Sequence, residues 1–318
     1  VLKIERVIIS SPPVRFITRR SKHWILPGFE GVPLYDVIQF FRKELKIYGI
    51  RERASAIAFN FIMSIPPTCL FLFTLIPNLP FISKRVIKTQ LHGLIRDIVQ
   101  PKIYNTSLIK FVDSFIDGNK IGLISVGFLA SLFFASNAMI GVMHSFNKNY
   151  IGFAKRKGLH DRWVAIKLTS LLFSLVLICL LLLLIQSSVL TWLGIENATI
   201  KNIILNGKWI IIAGLIYYSF AFIYRYAPAT HTRWRLSSPG AIIATILSIL
   251  AIYGVSFFVT NFTRYNVLFG SIGTIMVIMI MIYVNSLVIL IGFEFNRSIK
   301  TLRGIAEERE ARERALKL

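Results

Sequence analysis

The chain has 318 residues, of which 55% are apolar, and its mean hydropathy is +0.64. Charged residues make up 16% and crowd between the apolar stretches, which excludes an ordinary water-soluble globular domain. The net charge of +22 would suit a nucleic-acid binder, but such a protein carries its cations on a polar face rather than beside long apolar runs, so the excess is assigned to a membrane surface.

Val1 to Gly28 holds Lys3, Arg6, Arg15, Arg19, Arg20 and Lys22 with no apolar run of its own, and is not read as a cleaved signal peptide. Leu34, Val37, Ile38, Phe41, Leu45 and Tyr48 then recur at helical spacing, opposite Gln39, Arg42, Lys43 and Lys46. The pattern predicts an amphipathic helix that either lies on the membrane surface or packs on the cytoplasmic face of a bundle. Residues 1–53 therefore form a basic N-terminal segment.

Apolar runs at 54–76, 121–145, 164–192, 209–226, 239–262 and 268–293 are each long enough to cross about 30 Å of hydrocarbon at about 1.5 Å per residue. The expected fold is an all-α membrane protein, a bundle of about six transmembrane helices with flanking amphipathic helices and a membrane domain over 54–296. The third run is apolar on every face from Leu175 to Ile185 and should touch lipid. Between the first two runs, segment 81–117 repeats the amphipathic pattern through Val86, Ile87, Leu91, Leu94, Ile95 and Ile98, breaks at Pro101, and resumes with Leu108, Val112, Phe115 and Ile116. Two short helices capping the outer side are expected. The tail, 297–318, reads as a solvated helix with pairs such as Glu310 and Arg314.

With the N-terminus inside, inner segments hold 27 of the Lys and Arg residues and outer segments 10. That balance places both termini on the cytoplasmic side, against seven cations in the first outer loop.

Pro66 and Pro67 fall in the middle of the first run, where two missing donors should kink or open the helix and turn it toward the bundle interior. Gly127, Ser131 and Ala135, and likewise Gly240, Ala244 and Ser248, form small-residue ridges that let helix backbones approach closely. Asn60, Asn137 and Asn285 sit at similar depth on the first, second and sixth runs, which are expected to be mutual neighbours. These amides either bond between helices for packing or line, with Pro66 and Pro67, a polar path open to the cytoplasm. Glu294 ends the sixth run, and Arg225, Arg233 and Arg235 should share its rim, so an ion pair across helices is expected.

Enzyme chemistry finds no footing. His23, His92, His144, His160 and His231 are scattered, Cys69 and Cys179 both lie within apolar runs, and neither a phosphate-cradling Gly-rich loop nor a nucleophile elbow is present. No cofactor or metal is expected.

From Arg53 onward the chain resembles the YihY/virulence factor BrkB family of bacterial inner-membrane proteins, some once labelled ribonuclease BN. The resemblance is carried by ASAIAFNFIMSIPP (Ala54 to Pro67), LFFASNAMIGVMHSFNKNY (Leu132 to Tyr150), RWRLSSPGA (Arg233 to Ala241), and VTNFTRYNVLFGSIG through IYVNSLVILIGFEFN (Val259 to Asn296). It implies six spans with both ends inside, in agreement with the charge count. It implies no settled activity, and the ribonuclease label finds no support in these residues. The expected function is a transporter or lipid-handling protein of the bacterial cytoplasmic membrane; the competing reading is a structural or accessory subunit of an envelope complex. The expected partners are membrane lipids and, on the second reading, other envelope proteins, with no nucleic acid.

Overall fold

The computed structural model describes residues 21–22, 24–47, 49–75, 84–98, 102–116, 122–147, 158–192, 207–230, 233–261 and 264–316. Residues 1–20, His23, Tyr48, Pro101 and His231 lie outside that set, as does the side chain of Cys69. Nine helices are described: α1 (Leu34–Ile47), α2 (Ile50–Leu75), α3 (Lys84–Ile98), α4 (Lys102–Ile116), α5 (Gly122–Phe146), α6 (Gly158–Trp192), α7 (Lys208–Tyr226), α8 (Pro239–Asn261) and α9 (Arg264–Ala315). The protein is an all-α membrane protein.

By length and composition over the described residues, α5 to α9 can each cross a membrane. The first predicted span is α2, whose described part opens on Arg51, Glu52 and Arg53. Contacts run from α2 to α5, then through α6, α7, α8 and α9 back to α2, so the six long helices close a ring. The first, second and sixth predicted spans are mutual neighbours, as expected.

One end of this ring is filled. Ala54 and Ile57 of α2, Met143 and Phe146 of α5, Ala165 of α6, Tyr224 of α7, Ala241 of α8 and Phe293 of α9 form a single buried cluster. Phe146 and Phe293 stack with ring centroids 4.0 Å apart, and Trp234 leans on Phe293 at 5.5 Å. The small-residue ridge of the fifth span produces a close crossing here. A Cβ on Gly240 would stand 2.1 Å from the Gly292 carbonyl oxygen, and one on Gly292 would stand 2.3 Å from the Tyr224 hydroxyl. Backbones at that separation exclude any side chain at the crossing, which is why α8 meets α9 at glycine on both sides.

Pro66 and Pro67 both lie inside α2, which is continuous from Ile50 to Leu75, and Thr68 Oγ1 donates to the Ser64 carbonyl one turn back. The expected solvated tail helix is the last part of α9, which runs unbroken for 52 residues through the sixth span to Ala315 and carries the expected Glu310–Arg314 pair at 3.5 Å. Of the two placements open to the first amphipathic helix, the structure has the packed one: α1 lies against α9. Val37 is fully buried, and Phe29 and Phe41 meet Phe295 edge to face at 5.8 and 5.6 Å. The turn that delivers Phe29 uses positive φ at Gly28 and Gly31, a conformation that costs glycine little.

α3 and α4 are the two short helices expected between the first two spans. Leu91 and Val112 are buried, and Asp113 of α4 accepts from His92 Nε2 at 2.9 Å and faces Lys88 of α3 at 3.9 Å.

Candidate functional site

The filled end of the ring carries a chain of buried charges. Arg53 at the start of α2 donates to Glu294 Oε1 of α9 at 2.7 Å and to the Ser145 carbonyl at the end of α5. The other Glu294 oxygen lies 3.3 Å from Arg297 Nη1, and Arg297 reaches in turn to Glu44 on α1. All four side chains are less than a tenth exposed, so their desolvation must be offset by pairing, and two acids against two bases leave the chain neutral. Three helices are joined by it. Glu44 lies seven residues after Val37 and three after Phe41, on the apolar stripe of α1, and that register is the sequence signal for its burial.

Glu294 therefore does not pair with Arg225, Arg233 or Arg235. Its partners are Arg53 and Arg297. Arg225 and Arg233 instead flank Tyr226, with guanidinium carbons 5.7 and 5.4 Å from the ring centre, and Arg235 is exposed. The predicted rim cluster is two clusters.

The next residues along α9 complete the filled end. Asn296 Oδ1 accepts from the Gly240 backbone N–H at 2.7 Å and its Nδ2 donates to Ser238 Oγ at 3.0 Å, so a side chain from α9 satisfies a first-turn donor of α8. Asn147 Oδ1 accepts from the Ala229 backbone N–H at 2.8 Å and ties the end of α5 to the segment after α7. Described parts of the segments that carry the family resemblance thus meet at the filled end, through Ala54 and Ile57, Phe146 and Asn147, Ser238 and Gly240, and Phe293 to Asn296.

The three amides share that neighbourhood without meeting. Asn60 donates to the Ala56 carbonyl at 2.8 Å and fills the space beside Gly141, whose Cβ position lies 2.8 Å from its Nδ2. Asn137 accepts from Arg162 of α6, and Asn285 accepts from Ser248 of α8 while donating to the Met281 carbonyl at 2.9 Å. They sit at three different helix pairs and share no partner among the described residues.

Between α2 and α9 lies a cleft of about 320 Å³ bordered by Phe61, Ile65, Met281, Ile282 and Ile289. Its hydroxyls are turned back on their own helices, and Asn285 is bonded to Ser248 of α8 and to its own helix. Ser64 Oγ donates to the Phe61 carbonyl at 2.7 Å, Thr68 Oγ1 to Ser64 at 2.7 Å and Ser286 Oγ to Ile282 at 2.8 Å. With those donors satisfied, the cleft presents hydrocarbon.

The family model for virulence factor BrkB matches residues 42–317. The chain is 26% identical over 282 residues to the putative ribonuclease-like protein YfkH of Bacillus subtilis, covering 85% of this chain and 98% of that protein. It is 24% identical over 273 residues to a UPF0761 membrane protein of Alteromonas mediterranea, covering 84% and 88%. A UPF0761 membrane protein of Tolumonas auensis is 31% identical over 88 residues, 26% of this chain and 29% of that one. No solved structure matches significantly.

Proposed function

The chain belongs to the virulence factor BrkB family of membrane proteins, and from that premise we propose that it handles lipid in the bacterial cytoplasmic membrane, with both termini on the cytoplasmic side. The observation that carries this reading is the cleft between α2 and α9, whose hydroxyls and amide are already bonded within the protein. A polar solute crossing there would find few free partners for the hydrogen bonds it gives up to water, whereas an acyl chain loses nothing. Orientation rests on the excess of Lys and Arg on the inner segments. The reading assigns no bond-breaking chemistry, no cofactor and no nucleic-acid partner to the chain; the ribonuclease-like name stays with YfkH.

The test is lipid retention by the purified protein through extended detergent washing, measured by mass spectrometry. Wild type should keep phospholipid, and Ile65→Phe with Ile282→Phe, which fills the cleft, should lose most of it while unfolding at an unchanged temperature. The loss should be the same for every headgroup. Equal retention by the filled variant would end the lipid-handling reading in favour of a structural or accessory subunit that binds other envelope proteins, the reading that the solid Phe146–Phe293 end of the ring favours.

A further inference from the structure

A second cavity, of about 640 Å³, opens between α6, α7 and the segment following α7. Its size falls within the roughly 300–1,000 Å³ of ordinary ligand sites. His160 and Lys167 stand seven residues apart on one face of α6, with Val164, Leu168 and Leu171 along the same stripe; Arg225 comes from α7 and Arg233 from the approach to α8. Three permanent cations and a histidine thus share one hollow, and among its described lining residues there is no carboxylate. The nearest acid in sequence, Asp161, faces His144 of α5 at 3.9 Å instead.

Arginines elsewhere in the ring have partners of opposite charge or an amide oxygen. Arg53 and Arg297 share Glu294, and Arg162 has the Asn137 oxygen. Arg225 has its Nε closed off from solvent without an acceptor among the described residues, and the Tyr226 ring is its neighbour in place of a carboxylate. Like charges held together in a partly desolvated hollow repel, and a bound anion relieves that cost where the described lining residues offer no carboxylate. The planar donor forks of two arginines match the oxygens of a phosphate, and the lysine adds a point charge.

We infer that this cavity binds a phosphate-bearing anion, held by Arg225, Arg233 and Lys167, with the apolar stripe of α6 beside it. The site is separate from the cleft between α2 and α9 and stands whether or not lipid occupies that cleft. A phospholipid headgroup and a free phosphate offer the same oxygens; the lipid would also cover Leu168 and Leu171.

The experiment uses the full chain in phosphatidylcholine vesicles carrying either spin-labelled phosphatidylglycerol or spin-labelled phosphatidylcholine, and a parallel titration with inorganic phosphate. Wild type should immobilise phosphatidylglycerol in preference to phosphatidylcholine, or bind inorganic phosphate. Arg225→Gln with Arg233→Gln should weaken that binding by about tenfold or more, because charge-assisted bonds are lost. Lys167→Gln with Arg233→Gln removes two exposed cations and keeps the test open if Arg225 is needed for folding. Arg309→Gln with Arg312→Gln, on the exposed tail, makes the same change in net charge and should leave binding intact. Displacement of the labelled lipid by millimolar inorganic phosphate assigns the site to a soluble phosphate, and persistence of the lipid assigns it to a headgroup. The inference is overturned if wild type prefers neither probe, if both pocket pairs bind as wild type does, or if the tail pair loses as much as they do.

Discussion

Two groups of arginines lie near one end of the same helical ring and are handled in opposite ways. Arg53 and Arg297 are buried with Glu294 and Glu44, each cation against a carboxylate, and the group spends its charge on joining α1, α2 and α9. Arg225 and Arg233 line an open cavity with Lys167 and His160 and without a described carboxylate. A buried, balanced cluster has nothing left to offer a ligand, whereas an unbalanced and accessible one keeps its field. The sequence leads to an ion pair across helices at Glu294; the structure has one, with Arg53 and Arg297 in place of the expected arginines.

The sharpest way to break this contrast is to remove the shared carboxylate. Glu294→Leu leaves Arg53 without its partner inside the protein and should lower stability by about 3–5 kcal/mol, read as a fall in the thermal unfolding midpoint in detergent. Adding Arg53→Met should recover part of that loss, because Arg297 then keeps Glu44 and no cation is stranded; strictly additive losses would show that the two residues do not act as a pair.

The next effect concerns the packing that holds the joint. Gly240→Ala places a methyl 2.1 Å from the Gly292 carbonyl oxygen and should cost about 1–3 kcal/mol by forcing α8 off α9. Gly214→Ala on α7 meets nothing within 4 Å and serves as the control, with stability equal to or slightly above wild type. Asn296→Ala, which strands the Gly240 N–H, should cost about 1–2 kcal/mol in the same unfolding measurement. The smallest change is expected at the other arginine group. Arg233 is exposed, so Arg233→Gln should move stability by less than about 0.5 kcal/mol while weakening anion binding. A large stability loss there would erase the distinction between the two groups.

How much of this was readable in advance follows from what hydropathy measures. The spans from 121 onward and the two short helices around Pro101 were legible because length, apolar period and proline position are local properties. The close α8–α9 crossing was legible on one side, through Gly240, Ala244 and Ser248, but Gly292 stood unremarked on the partner helix. Depth along a helix can be counted, and Asn60, Asn137 and Asn285 do lie on neighbouring helices; azimuth cannot be counted, so their separate partners were not foreseen. The partner of Glu294 was out of reach for another reason. Arg53 lies 241 residues away, at the junction between a basic segment and an apolar run, where it reads as one more inner-side cation.

The 52 residues of α9 have a mechanical consequence. As a straight rod the helix is about 78 Å long, and some 32 Å of it lies beyond Glu294. A rigid tilt of about 5° about Glu294 would carry the far tip through roughly 3 Å. Two ties restrain the lever near its pivot, Arg297 on Glu44 and Arg303 on Glu30 at 3.3 Å, and both belong to the segment that precedes α2. A tilt of that rod about Glu294 would therefore move Glu308 to Arg314 further than it moves Ile282 beside the cleft.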